Sequence, residues 1–116
     1  MQRATSFTIV KTDVTLIYTG KYLNKYDGKH VPPGWDDWYG LLRNSRFYNY
    51  TVNNNGFLKY HGSNYQKDYL PDKITQKALD FIEESFASSK PFLAVLSYPG
   101  PHGPEDAAPQ YQVLIK

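Results

Sequence analysis

The sequence contains no cysteine in its 116 residues. That excludes disulfides, thiolate metal sites and cysteine nucleophiles within the chain. It also has little net charge, 13 Lys and Arg against 11 Asp and Glu, for a balance of +2. With no Lys/Arg cluster, this balance argues against a nucleic-acid or membrane-surface partner. No apolar run approaches the ~18 residues that a membrane helix needs. GxSxG, GxGxxG and P-loop signatures are missing, as are internal repeats and linkers. The opening residues, MQRATSFTIVKT, lack the basic, apolar and small-residue order of a secretory leader. They suit either a cytosolic protein or a chain without its natural start.

Aromatic residues are abundant: 11 Tyr, 6 Phe and 2 Trp. Tyrosine joins an apolar ring to a polar tip, which suits half-buried positions and polar ligands such as sugars. The hydrophobic share of 41% places the chain with folded domains rather than disordered ones. One small domain, or a piece of a larger one, is expected.

Residues 7–18 are β-branched and roughly alternating, which predicts one or two strands, with Gly20 breaking the pattern. Residues 24–37, rich in Gly, Pro and Asp, read as a long ordered loop. Residues 38–44 (WYGLLRN) suggest a short helical turn. Two aromatic runs, 46–52 and 57–62, flank Asn55-Gly56, a strong hairpin signal. The clearest helix runs over 72–88, with Asp72 as N-cap and Ile74, Ala78, Phe81, Ile82, Ser85 and Phe86 on one face. Residues 92–98 (FLAVLSY) form a continuous apolar run between prolines, which predicts a strand buried on both faces. Helix then strand is half of a βαβ unit, so a ligand is expected in the loop past that strand's carboxyl end.

That loop holds His102 between two prolines and two glycines, a stiff setting in which a ligand approaches the main chain closely. Imidazole is well suited to proton transfer near neutrality, yet a loop histidine without a role fits equally. Glu105 and Asp106 follow and are read first as a helix cap or solvated pair. Lys21 lies just past a predicted strand, where a lysine either meets an anion or faces water. His30, His61 and His102 match no local metal-ligand spacing. Asn49-Tyr50-Thr51 is an N-glycosylation sequon.

Five ordered strings go further: GKYLNKY (20–26), HVPPGWDDWYGL (30–41), NSRFYNYT (44–51), HGSNYQKDYL (61–70) and PGPHGPEDAAPQY (99–111). Together they resemble the sulfatase family, in the branch of the extracellular heparan-sulfate 6-O-endosulfatases and the N-acetylglucosamine-6-sulfatases. The resemblance implies an α/β fold, a partial mixed-sheet, alkaline-phosphatase-like domain with an added hairpin. It implies a divergent segment at 1–18 and a fragment of the catalytic domain over 19–116. The implied activity is sulfuric ester hydrolysis on 6-O-sulfated glucosamine of heparan sulfate proteoglycan. The implied location is extracellular or secretory, with lysosomal as the alternative.

By motif position, Lys21 matches a sulfate-contacting lysine, and His102 a histidine on the sulfate or ester oxygen. Leu23 stands where many sulfatases carry a histidine, so no role passes to it. The family uses calcium and a formylglycine made from the cysteine of a Cys-x-Pro-x-Arg motif. With no cysteine here, that formylglycine is absent, and the calcium ligands are expected outside this chain. An internal slice, inactive alone as a hydrolase, is therefore expected. The alternatives are a non-catalytic glycan-binding product and a non-functional truncated one.

Overall fold

A computed structural model of the chain describes residues 13–103 and 108–112. Five strands and a long helix follow in order: β1 (Thr15–Lys21), β2 (Asp37–Leu41), β3 (Tyr50–Asn54), β4 (Phe57–His61), α1 (Leu70–Ser88) and β5 (Phe92–Ser97), then a short turn of helix, α2 (Pro109–Gln112). They build one mixed sheet of spatial order β4-β3-β2-β1-β5. β1 is central to the parallel part, pairing with β2 on one side and β5 on the other. β2–β3 and β3–β4 are antiparallel. The expected mixed α/β sheet with an added hairpin is what forms.

Alternate residues of β2 explain the two faces of the sheet. Tyr39 and Leu41 join Tyr50, Val52, Leu70 and Ile74 in a core beneath α1. Trp38 points to the other face and packs with Tyr26 and Leu42, beneath Tyr18, Tyr22, Val31 and Trp35. The 24–37 loop thus adds Tyr26, Val31 and Trp35 to Tyr18, Tyr22, Trp38 and Leu42 in a second layer. Its rings meet mainly edge to face, as Tyr22 does with Trp38 at 5.0 Å and 85°. The Asn53 amide donates to the Gly28 carbonyl at 2.8 Å and pins the loop to β3.

Several sequence expectations change. Residues 38–44 are not helical: Asp37–Leu41 is a strand, because pairing with β1 and β3 satisfies its backbone on both sides. Gly20 does not end β1. The strand continues through it at φ 118° to Lys21. The part of the first strand signal at 7–12 lies outside the described residues. The hairpin forms as expected, and Asn55 and Gly56 take φ of 54° and 97°, the signs a type I′ turn requires. Its first strand starts at Tyr50 rather than at residue 46.

The helix starts before the expected cap. Tyr69 holds the N-cap position, its side chain not capping the helix, and Pro71 sits in the first turn, where its missing N–H costs nothing. Asp72 is inside the helix. Its carboxylate accepts from the Tyr111 hydroxyl at 2.6 Å and the Gln110 amide at 3.0 Å, tying α2 to the start of α1. Ile74, Ala78, Phe81 and Ser85 are buried as their spacing predicts, but Phe86 is 80% exposed. β5 is an edge strand, with Leu93 51% exposed, so the expected burial on both faces does not hold for the described chain.

Candidate active site

β1 and β5 are parallel neighbours, with Gly20 facing Ser97, so both chains leave the sheet at the same edge. Lys21 is the last residue of β1. The loop carrying His102 begins directly after β5. Carboxyl ends of adjacent parallel strands are where open α/β sheets place ligands.

Gly20 sets this edge. A Cβ there would meet the Ser97 carbonyl oxygen at 2.1 Å and the Ile74 Cδ1 at 3.0 Å. Only glycine lets β1, β5 and α1 close together just before Lys21. Lys21 is half-buried, and burial lowers its ammonium pKa, since desolvation penalises the charged form. The Tyr18 hydroxyl donates to the Lys21 carbonyl and holds the strand end. A unit anion ~4 Å from such an ammonium gains about 4 kcal/mol at an intermediate dielectric.

The His102 ring is exposed, and its Nδ1 donates to the Gly103 carbonyl at 2.8 Å. Nε2 is then the atom left for a ligand. It carries a proton only in the imidazolium form, so proton donation from Nε2 needs a cationic ring. Upstream, Gly100-Pro101 is a cis peptide, and the Phe47 ring lies 3.6 Å from where a Gly100 Cβ would be. At the base of the loop, the Tyr98 and Thr75 hydroxyls meet at 2.6 Å, linking it to α1. Glu105 and Asp106 lie outside the described residues.

A second polar feature was not foreseen from the sequence. Between β4 and α1 lies a cleft of about 220 Å³, lined among others by Lys59, His61, Lys73, Lys77 and Tyr39. Lys77 reaches Asp37 at 3.7 Å and lies 5.4 Å from the Tyr39 ring centre. His61 is buried, with Nδ1 3.3 Å from Asp68 and Nε2 3.4 Å from the Tyr39 hydroxyl. Burial lowers the His61 pKa and outweighs the opposing pull of Asp68. Burial also pushes the Tyr39 hydroxyl up to about 12, and Tyr50 higher still. Lys73 and Lys77 at i,i+4, and Lys59 and His61 at i,i+2, were readable as one helix face and one strand face. Nothing local says that the two faces meet.

Among the described residues, no three His, Cys, Asp or Glu side chains converge into a group able to hold a cation. The described side chains do not fit a calcium site, and no metal chemistry is assigned to them. Among the same residues, no helix is long and apolar enough to cross a membrane.

The fold is the α/β sheet of the alkaline-phosphatase-like class. A solved enzyme bound to its substrate D-glucosamine-2-N,6-O-disulfate superposes with a TM-score of 0.64 at 24% identity, over 84% of this chain and 18% of that one. Residues 9–114 match the sulfatase family, and the chain belongs to it. A Caenorhabditis elegans Sulf-1 homolog is 52% identical over 101 residues, 85% of this chain and 14% of its own length. A Drosophila melanogaster extracellular sulfatase, also a SULF-1 homolog, is 52% identical over 84% of this chain and 9% of its own. The human N-acetylglucosamine-6-sulfatase is 45% identical over 82% of this chain and 18% of its own. The chain thus spans less than a fifth of the length of each of these relatives.

Proposed function

We propose that this chain is part of a secreted sulfuric ester hydrolase acting on 6-O-sulfated glucosamine of heparan sulfate. Residues 19–116 would be a segment of its catalytic domain and 1–18 a divergent lead-in. The observation that carries the reading is the shared exit of Lys21 and the His102 loop at one sheet edge. The name of the human relative supports a 6-sulfated glucosamine, and that of the Caenorhabditis elegans relative supports secretion.

In this reading the Lys21 ammonium pairs with the sulfuryl oxygens, where negative charge gathers. The protonated His102 ring gives its Nε2 proton to the leaving sugar oxygen as the S–O bond breaks. In the family, formylglycine supplies the nucleophile. Without cysteine this chain forms none, so the 116 residues bind the ester without cleaving it. Incubating the chain with glucosamine 6-sulfate and measuring free sulfate tests this. Release above the buffer control contradicts it.

The same reading makes Asn49 a glycan acceptor in the secretory pathway; it is exposed and precedes β3.

A second reading, a non-catalytic product that binds sulfated glycan away from the β1–β5 edge, is favoured by the cleft between β4 and α1, where Lys59, Lys73 and Lys77 outnumber the one acid, Asp80. Retention on a heparin column beyond ~0.5 M salt supports that reading, because polyanion binding follows the number of cations engaged. Elution near ~0.15 M salt contradicts it.

A further inference from the structure

Asn49 is held at nearly every polar atom. Its backbone is left-handed, with φ of 53°. Its N–H donates to the Gly62 carbonyl at 2.9 Å. Its carbonyl accepts from the Arg46 guanidinium at 2.8 Å. Its side-chain Oδ1 accepts from the Tyr60 hydroxyl at 3.1 Å. Only Nδ2 has no partner among the described residues, and Nδ2 is the nitrogen that an N-linked glycan occupies.

Tyr60 stands beside the whole sequon. It is the direct cross-strand partner of Thr51, and its hydroxyl reaches Asn49. Yet its side chain is 65% exposed, on the outermost strand of the sheet. A large ring left open on an edge strand invites a cover.

We propose that Tyr60 is the platform on which the first sugar of a glycan at Asn49 rests, an inference that stands on the glycosylation reading above. In the modification, Nδ2 attacks the anomeric carbon of a lipid-pyrophosphate-linked oligosaccharide. The C–N bond forms, the C–O bond breaks, the pyrophosphate leaves with the electron pair and one amide proton passes to solvent. The product is a secondary amide, which is trans. Its sugar carbon therefore lies on the Oδ1 side of the amide, the side held by Tyr60. The apolar face of the first sugar then covers the exposed ring, as aromatic side chains with a polar tip accept sugars.

The test expresses the full chain in the secretory pathway of a eukaryotic host, with Tyr60→Ala and Tyr60→Phe beside it. Mass spectrometry reads Asn49 occupancy. Thermal unfolding compares intact glycan, a glycan trimmed to its first sugar, and the fully stripped chain. The expectation is that the trimmed form melts with the intact one while the stripped form melts about 4 °C lower. Tyr60→Ala keeps the glycan but loses that difference; Tyr60→Phe keeps most of it. A bare Asn49 in secreted material overturns the glycosylation reading and the platform with it. A glycan on Asn49 whose removal shifts Tyr60→Ala as much as the parent chain overturns the platform alone.

Discussion

Gly20 leaves no room for a side chain against Ser97: a Cβ would sit 2.1 Å from the Ser97 carbonyl oxygen. This contact joins the ends of β1 and β5 and so fixes the edge from which Lys21 and the His102 loop depart. Gly20→Ala adds both a backbone clash and a disfavoured φ of 118°. It should cost about 3 kcal/mol or more in urea unfolding. A loss below ~0.5 kcal/mol, the range of ordinary surface changes, contradicts the packing described.

Gly56 gives the matched comparison. It also has positive φ, 97°, but a Cβ there meets nothing within 4 Å. Gly56→Ala should therefore cost only the conformational term, about 1–2 kcal/mol. If the two glycines respond equally, steric closure at Gly20 is not what distinguishes them.

These two glycines also show what was legible in the sequence. Asn55-Gly56 announces its turn locally, because the left-handed φ belongs to the turn itself. Gly20 reads as a breaker, because its need comes from Ser97 across the sheet and Ile74 above it. The apolar spacing of α1 was plain, but its start was not. Asp72 has a capping side chain, yet tertiary bonds to Gln110 and Tyr111 claim it. WYGLLRN carries helix-forming leucines, and only pairing with β1 and β3 makes its first part a strand. Lys21 and His102 stand out through the family strings more than through local physics. The lysine cleft has no signature in the sequence, because β4 and α1 meet there only in the fold.

His61 should make stability pH-dependent. Its neighbours are Asp68 in the loop before α1, Tyr39 of β2, Tyr50 of β3, Lys59 of β4 and Lys73 of α1. Its folded pKa is lowered, chiefly by burial. The unfolded chain then binds the proton more readily, so stability is full above the unfolded value of about 6.5 and falls as pH drops through the window below it. Urea midpoints from pH 7.5 down to pH 5 test this, and His61→Gln should flatten the slope over that window. A stability that rises on acidification, or an unchanged slope in His61→Gln, contradicts the account.

β5 exposes Leu93 and Leu96 at the sheet edge, 51% and 37% accessible. An apolar open edge favours aggregation. Leu93→Lys should raise the solubility limit with a change in stability within ~0.5 kcal/mol, as for an exposed position. Unchanged solubility, or a larger loss of stability, would show that Leu93 is not a solvated edge residue.

A sulfated sugar is expected to bind at the edge where β1 and β5 end. Amide chemical shifts of the isotopically labelled chain, titrated with glucosamine 6-sulfate, test it most directly. The account predicts the largest changes at Lys21, His102 and Gly103, and their loss in Lys21→Ala. Changes confined to Lys59, Lys73 and Lys77 of the cleft, with that edge unmoved, would contradict it.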